Sequence, residues 1–323
     1  MNKVRLKGII LVVFGTIMWG ASGTVAEFLF QQNHFNTEWL VVVRLLLSGS
    51  LLLVYGLLKK DSGIKDIWKN KNDVLLLISF SVLGVLGSQY TYFVAIKYGN
   101  AAVATILQYL SPVIITCYMV ICNKKLPNKK QVVAIILAII GTFFIITKGN
   151  INSLSISKEA LFFGLCCAFS VAIYTLQPVN LLKKYSSTCI IGCGMLIAGI
   201  AFSFVNPPWK FTGTWSIATV SAVGFVVIFG TVMAYYCYLE SLNYIQPTET
   251  SILGAFEPLS AAFLSVIWLK NPFEIGDFIG TTCIILTTVI LAYSKKDNTT
   301  ETVENREEEN CENIDKDKSK QYI

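Results

Sequence analysis

Ten apolar stretches, each long enough to cross a bilayer, occupy nearly the whole chain, and the last five echo the first five. A helix needs about 20 apolar residues to span a hydrocarbon core of ~30 Å at 1.5 Å rise per residue. Windows of that length fall at 7–30, 37–58, 73–96, 100–121, 130–147, 159–180, 187–206, 215–241, 247–268 and 274–293. Helices satisfy their own backbone polar groups in lipid, so the pattern predicts an all-α integral membrane protein. Five spans per half is an odd number, so the halves enter the bilayer with opposite orientation. Inverted repeats of this kind build carriers that open to each side in turn. The expected organisation is a first unit over 1–148, a second over 149–296 and a tail from 297 to 323.

Only 14% of the residues are charged, against roughly 25% in soluble domains. The net charge of +6 is sorted by loop, which argues against a nucleic-acid partner. Positive residues crowd the N-terminus (Lys3, Arg5, Lys7), the second loop (Lys59, Lys60, Lys65, Lys69, Lys71) and the fourth (Lys124, Lys125, Lys129, Lys130). The loops of the other side hold Lys97, Lys148, Lys158, Lys210 and Lys270. The positive-inside rule then predicts a multi-pass protein of the cell membrane with both termini cytoplasmic. From Asp297 onward the composition turns polar and densely charged, as expected of a disordered solubilising tail, or of a segment read by a regulatory partner. The nine cysteines include no C-x-x-C pair, and His34 is the sole histidine. Neither a disulfide frame nor a metal site is expected.

The repeat is visible without gaps. Adding 146 to positions 84–124 pairs Gly84 with Gly230, Tyr90 with Tyr236, Tyr92 with Tyr238, Tyr98 with Tyr244 and Pro112 with Pro258, among ten identities in 41 positions. Spans three and four therefore correspond to spans eight and nine.

Ionisable groups inside a membrane are costly, at ~2.5–3.5 kcal/mol on insertion scales, and mark candidate sites. Glu257 lies near mid-depth in span nine, directly before Pro258. A proline lacks an N–H and clashes with the carbonyl four residues back, here that of Gly254. The expectation is a helix break with a freed carbonyl beside an acid that binds a substrate amine or carries a coupling proton. The alternative is a neutral acid packed by hydrogen bonding. Ser111 and Pro112 are the matching pair in span four, acting as a hinge or only shaping the helix. Glu27 and Arg44 fall at similar depths in adjacent spans and are expected to form an ion pair at the outer mouth. That pair either clamps two helices, or Arg44 instead captures a substrate carboxylate. Trp19 sits mid-span beside Gly20, Ser22 and Gly23, as cavity wall or packing. Gln89, Tyr92, Gln108, Tyr174 and Tyr238 supply polar handles for a translocation cavity, joined less specifically by Tyr90, Gln177 and Tyr236. Gly276-x-x-x-Gly280 permits close helix approach, to span five or to a second copy in a homodimer.

The stretches TIMWGASGTVAEFL, VVVRLLLSG, NAAVATILQYLSPVI and SILGAFEPLSAAFL resemble the EamA-type drug/metabolite transporter superfamily, and within it its YicL-type inner-membrane members. The resemblance spans roughly residues 5–295 as two tandem units. It implies ten helices around a central cavity and secondary transport, often export, of amino acids or other small metabolites. Many members carry a glutamate after the fourth and ninth spans, where Lys124 and Lys270 stand here, so no role of that acid transfers.

A nucleotide-binding G-x-x-x-x-G-K-[ST] run is missing, so gradients rather than ATP would drive movement, and no cofactor is implied. The leading expectation is a proton-coupled or facilitative exporter of small metabolites. Import or exchange is the alternative. An intramembrane enzyme has no nucleophile or metal motif to rest on, so no catalytic residue is assigned. A sensor would rest on the tail alone.

Overall fold

The protein is described here by a computed structural model covering residues 3–123, 126–150 and 155–293. Every regular element among these residues is helical. The membrane helices in chain order are α1 (Val4–Gln32), α2 (Thr37–Leu58), α3 (Lys71–Tyr98), α4 (Ala101–Cys122), α5 (Lys129–Thr147), α6 (Lys158–Leu182), α7 (Ser187–Ser203), α8 (Ile217–Ser241), α9 (Pro247–Leu253 continued by Phe256–Ile267) and α10 (Ile275–Tyr293). Eight of these are long and apolar enough to cross a membrane unaided, while α7 and the second part of α9 are shorter but equally apolar. Lys124, Cys311 and the tail from Asp297 lie outside the described residues.

The helices start where the sequence supplies a cap. From α2 to α8 each begins on an asparagine or serine (Asn36, Asn70, Asn100, Asn128, Ser157, Ser186, Ser216) whose side chain accepts an N–H of the first turn. Such a cap satisfies one of the four donors that a helix start leaves free. Helix α9 instead begins with Pro247 as its first residue, where a missing N–H costs nothing.

The packing is paired. Helix α1 lies against α8 and α9, helix α6 against α3 and α4, and α2 against α7, while α4 and α9 meet at the centre. The 146-residue shift relates these contacts. A side chain added at Gly192 would press on Leu53, and one at Gly199 on Leu46; each pair is the other's image under the shift. Helix α3 widens into a π-helical stretch at Phe80–Leu86, and α8 does the same at Ile228–Met233. Helix α4 breaks at Tyr109–Leu110 and α9 at Gly254–Ala255, and both the breaks and the bulges correspond to within two residues under the shift. A π-bulge frees backbone groups and re-aims side chains, and recurs at functional sites.

Helix α10 packs on α5. Cβ atoms at Gly276 and Gly280 would meet the Lys148 backbone at 2.7 Å and the Gly141 carbonyl at 2.8 Å. The small-residue spacing read from the sequence therefore serves contact within the chain. Lys270 adopts a left-handed backbone (φ 58°) just past the end of α9, the conformation that commonly closes a helix.

The two faces of the bundle are tied differently. On the face where α1 begins, Asp73 accepts from Lys184 at 2.9 and 3.1 Å and from Tyr185 at 2.9 Å, and Arg5 pairs with Glu249. A cleft of about 670 Å³ opens there between Arg5, Tyr244 and Glu249. On the opposite face Phe35, Trp39, Phe211 and Trp215 stack edge to face and in parallel, with centroids 4.7–5.9 Å apart. Trp39 also donates its indole N–H to the Pro208 carbonyl at 2.7 Å. This cluster joins the start of α2 to the segment between α7 and α8.

Candidate functional site at the centre of the bundle

Glu257 opens the second part of α9, immediately after the break, and is only 9% exposed. Pro258 supplies no N–H, so the Gly254 carbonyl loses its helical partner, as the sequence requires. The carbonyl is not left free. It accepts the Glu257 N–H at 2.9 Å and the Tyr109 hydroxyl at 2.6 Å. The same hydroxyl lies 3.1 Å from Glu257 Oε2, and Gln108 Nε2 lies 3.5 Å from Oε1. Tyr109 sits at the break of α4, so one broken helix caps the other.

Helix α1 closes in from the other side. A Cβ at Gly20 would overlap the Glu257 carbonyl and the Ser260 hydroxyl, and one at Gly23 would overlap the Tyr92 hydroxyl. Gly20 meets backbone, so that position must be glycine for α1 to approach α9 this closely, whereas at Gly23 only the Tyr92 hydroxyl would have to shift. Trp19, one residue before, stacks its ring against Tyr235 at 5.0 Å and Tyr238 at 5.1 Å. Tyr92 hydrogen-bonds Thr105 at 2.8 Å. Cys167 lies 3.4 Å from Gln108 Oε1. Trp19, Gln108, Tyr109, Tyr174, Tyr235 and Tyr238 all keep accessible surface, although Tyr109, Tyr174, Tyr235 and Tyr238 lie deep in the protein.

The expected ion pair between Glu27 and Arg44 does not form. Glu27, 1% exposed, accepts the Ala101 N–H at 2.7 Å through Oε2 and the Asn271 amide through Oε1. The first N–H groups of α4 have no partners within the helix and favour an anion, so the carboxylate caps α4 and ties α1 to the end of α9. Arg44 turns away toward α8. Its Nε donates to Thr231 Oγ1 at 2.7 Å and its Nη2 to the Gly230 carbonyl at 3.1 Å, with the guanidinium 5.0 Å from the centre of the Phe93 ring. These partners lie in the π-bulge midway along α8, so Arg44 belongs to the centre of the bundle and not to its mouth. Its hydrogen bonds do not include Glu257.

Of the other residues expected in a cavity, Tyr92, Gln108, Tyr174, Tyr238 and Trp19 are brought together around Glu257. Gln89 and Ser111 make no hydrogen bond to that group among the described residues. The Gln89 Oε1 is buried without a partner, and Ser111 starts the second part of α4. Gln177 binds Ser79 and the Leu76 carbonyl, Tyr90 packs on Phe163 and Phe202, and Tyr236 is exposed beside Tyr55. Sequence reasoning missed Tyr109, Tyr235 and Thr231. Tyr109 lies three residues before Pro112, and Thr231, Tyr235 and Tyr238 share one helical face by their spacing, so signals existed for all three. Among the described residues no cluster of His, Cys, Asp and Glu could hold a metal ion.

The EamA-like transporter family matches this chain twice, over residues 6–147 and 158–293. The chain is 36% identical over 288 residues to the uncharacterized inner membrane transporter YicL of Salmonella typhimurium, covering 88% of this chain and 94% of that protein. It is 25% identical to the uncharacterized transporter YyaM of Bacillus subtilis, over 86% of this chain and 90% of that one. One solved crystal structure shares the fold with a TM-score of 0.56 at 15% identity, covering 89% of this chain and 94% of its own. A ten-helix bundle, two in-register units and an acid at the meeting of two broken helices agree with these likenesses: the chain belongs to the EamA-like transporter family and is a multi-pass membrane transporter.

Proposed function

We propose that the protein is a secondary-active exporter of small metabolites such as amino acids or related compounds, working by alternating access and coupled to protons through Glu257. The two units, 1–148 and 149–296, are inverted five-helix repeats, and both termini are cytoplasmic. The observation that carries the proposal is the pairing of Glu257 with Tyr109 where α9 and α4 break. Broken helices meeting at mid-membrane recur at the binding sites of carriers. An acid removed from water there exchanges its proton when its surroundings change. The breaks and the π-bulges, which recur within two residues of the 146-residue interval, supply matched places where either half can pivot. The sorting of positive residues supports the orientation, and the resemblance to a superfamily whose members often export metabolites is the support for the direction of flux.

The experiment is substrate-dependent proton flux in proteoliposomes of purified protein, with substrates drawn from metabolites whose efflux rises on expression in cells. The wild type is expected to move protons with substrate, and Glu257→Gln to abolish that coupling. Transport indifferent to a pH gradient and to the substitution would remove the proton from the mechanism. Cysteine labelling from either side at introduced terminal positions reads the orientation.

A further inference from the structure

Among the described residues no acid touches Arg44, at the centre of the bundle. It is 5% exposed, and its contacts fix it without neutralising it. Thr231 donates its hydroxyl proton to the Val226 carbonyl at 2.8 Å, so its oxygen is turned to accept from Arg44 Nε. The neighbouring Gly230 carbonyl takes Nη2. Both bonds use the Nε–Nη2 edge of the guanidinium. Nη1 donates to no group among the described residues, so the end of the fork, formed by Nη1 and the second Nη2 hydrogen, stays open. That is the edge on which a carboxylate docks with two parallel hydrogen bonds.

The fold does not need a charge at this place. Under the 146-residue shift Arg44 corresponds to Ile190, which is buried in α7. There the π-bulge of α3 is closed by apolar packing, with Phe80 and Val85 at 2.9 and 3.5 Å from a Cβ built on Gly194. One half thus packs its bulge with isoleucine and the other holds a guanidinium on it. A buried cation without an anionic partner is retained where it serves a ligand or a pathway.

We propose that Arg44 is the seat for a carboxylate of the transported solute, so that the carrier selects small monoanionic or zwitterionic compounds over cations and neutral molecules. The inference rests on the transporter reading above. A single guanidinium balances one negative charge and not two, which disfavours phosphate esters. Trp19, Tyr235 and Tyr238 would face the remainder of the solute.

The test compares untargeted efflux from cells expressing the wild type, Arg44→Ile, Arg44→Lys or Thr231→Val, each at verified membrane abundance. Metabolites whose efflux follows wild-type expression are expected to carry a carboxylate, and their methyl esters or amides, supplied to the same cells, are expected to be left behind. Arg44→Ile, which places at 44 the residue found at its image, should lower their efflux at least ~10-fold, as loss of a charge-assisted bond implies. Arg44→Lys should retain part of it. Thr231→Val keeps the charge but loosens its seat, and should raise the half-saturating concentration with the maximal rate preserved. The proposal is overturned by a wild-type-dependent set dominated by solutes without a carboxylate. It is equally overturned by Arg44→Ile efflux within two-fold of wild type, or, should that variant not reach the membrane, by an unchanged half-saturation in Thr231→Val. No wild-type-dependent efflux of any metabolite would instead remove the transporter reading beneath it.

Discussion

Removing the Tyr109 hydroxyl should destabilise the protein, and by an amount that depends on Pro258. The Gly254 carbonyl has two donors in the folded protein, the Glu257 N–H at 2.9 Å and the Tyr109 hydroxyl at 2.6 Å. Pro258 denies it the usual donor four residues on. Tyr109→Phe removes the shorter bond and the 3.1 Å approach to Glu257. Hydrogen bonds within membrane proteins average about 0.6 kcal/mol and reach about 1.7. The short bond to an otherwise underserved carbonyl falls in the upper half of that range, so Tyr109→Phe should cost about 1–1.5 kcal/mol. Pro258→Ala returns an N–H to position 258, within reach of the same carbonyl. In that background the carbonyl no longer depends on Tyr109, and only the weaker contact with Glu257 is lost. The double-mutant cycle should then show a coupling of about 0.5–1 kcal/mol. The assay is reversible unfolding in mixed micelles titrated with a denaturing detergent. Tyr90→Phe is the control, because the Tyr90 hydroxyl makes no hydrogen bond among the described residues and its ring packs on Phe163 and Phe202. Additivity of Tyr109→Phe and Pro258→Ala to within about 0.3 kcal/mol, the same as seen with the control, would refute the claim that one broken helix caps the other.

Gly20→Ala should cost about 1–3 kcal/mol, because the new methyl meets the backbone of Glu257 and cannot be relieved by rotating a side chain. Gly224→Ala, with nothing within 4 Å of the added carbon, should be neutral or slightly stabilising in the same unfolding assay. Gly280→Leu should separate α10 from α5, where the Gly141 carbonyl lies 2.8 Å from the added Cβ; a cysteine pair across that contact should lose its cross-linking. Asp73→Ala strips Lys184 and Tyr185 of their shared acceptor and should lower the midpoint in the same unfolding assay, with Tyr185→Phe alone reproducing part of that loss.

The number of helices, their ends and the correspondence between halves were legible in the sequence. Each depends on local chemistry: apolar length set against bilayer thickness, an Asn or Ser before a helix, a proline inside one. The observed helices lie within three residues of the expected spans at every end. Glu257 was legible because an acid before a proline at mid-depth is costly wherever the helix packs. The partners of the charges were not. Glu27 and Arg44 have matching depths on consecutive helices, and depth is all that a single sequence supplies. Their pairing is decided by rotation about each helix axis and by which neighbour offers unsatisfied groups first. The start of α4 claims Glu27 through the Ala101 N–H, and the π-bulge of α8 claims Arg44 through Gly230 and Thr231. Those choices belong to packing between helices distant in the chain. The sequence by itself therefore determined a ten-helix membrane protein in two echoing halves. Only the tertiary structure decided which charge stands bound at a helix end and which stands unpaired at the centre, because that depends on groups brought together across 74 residues of chain for Glu27 and 186–187 for Arg44.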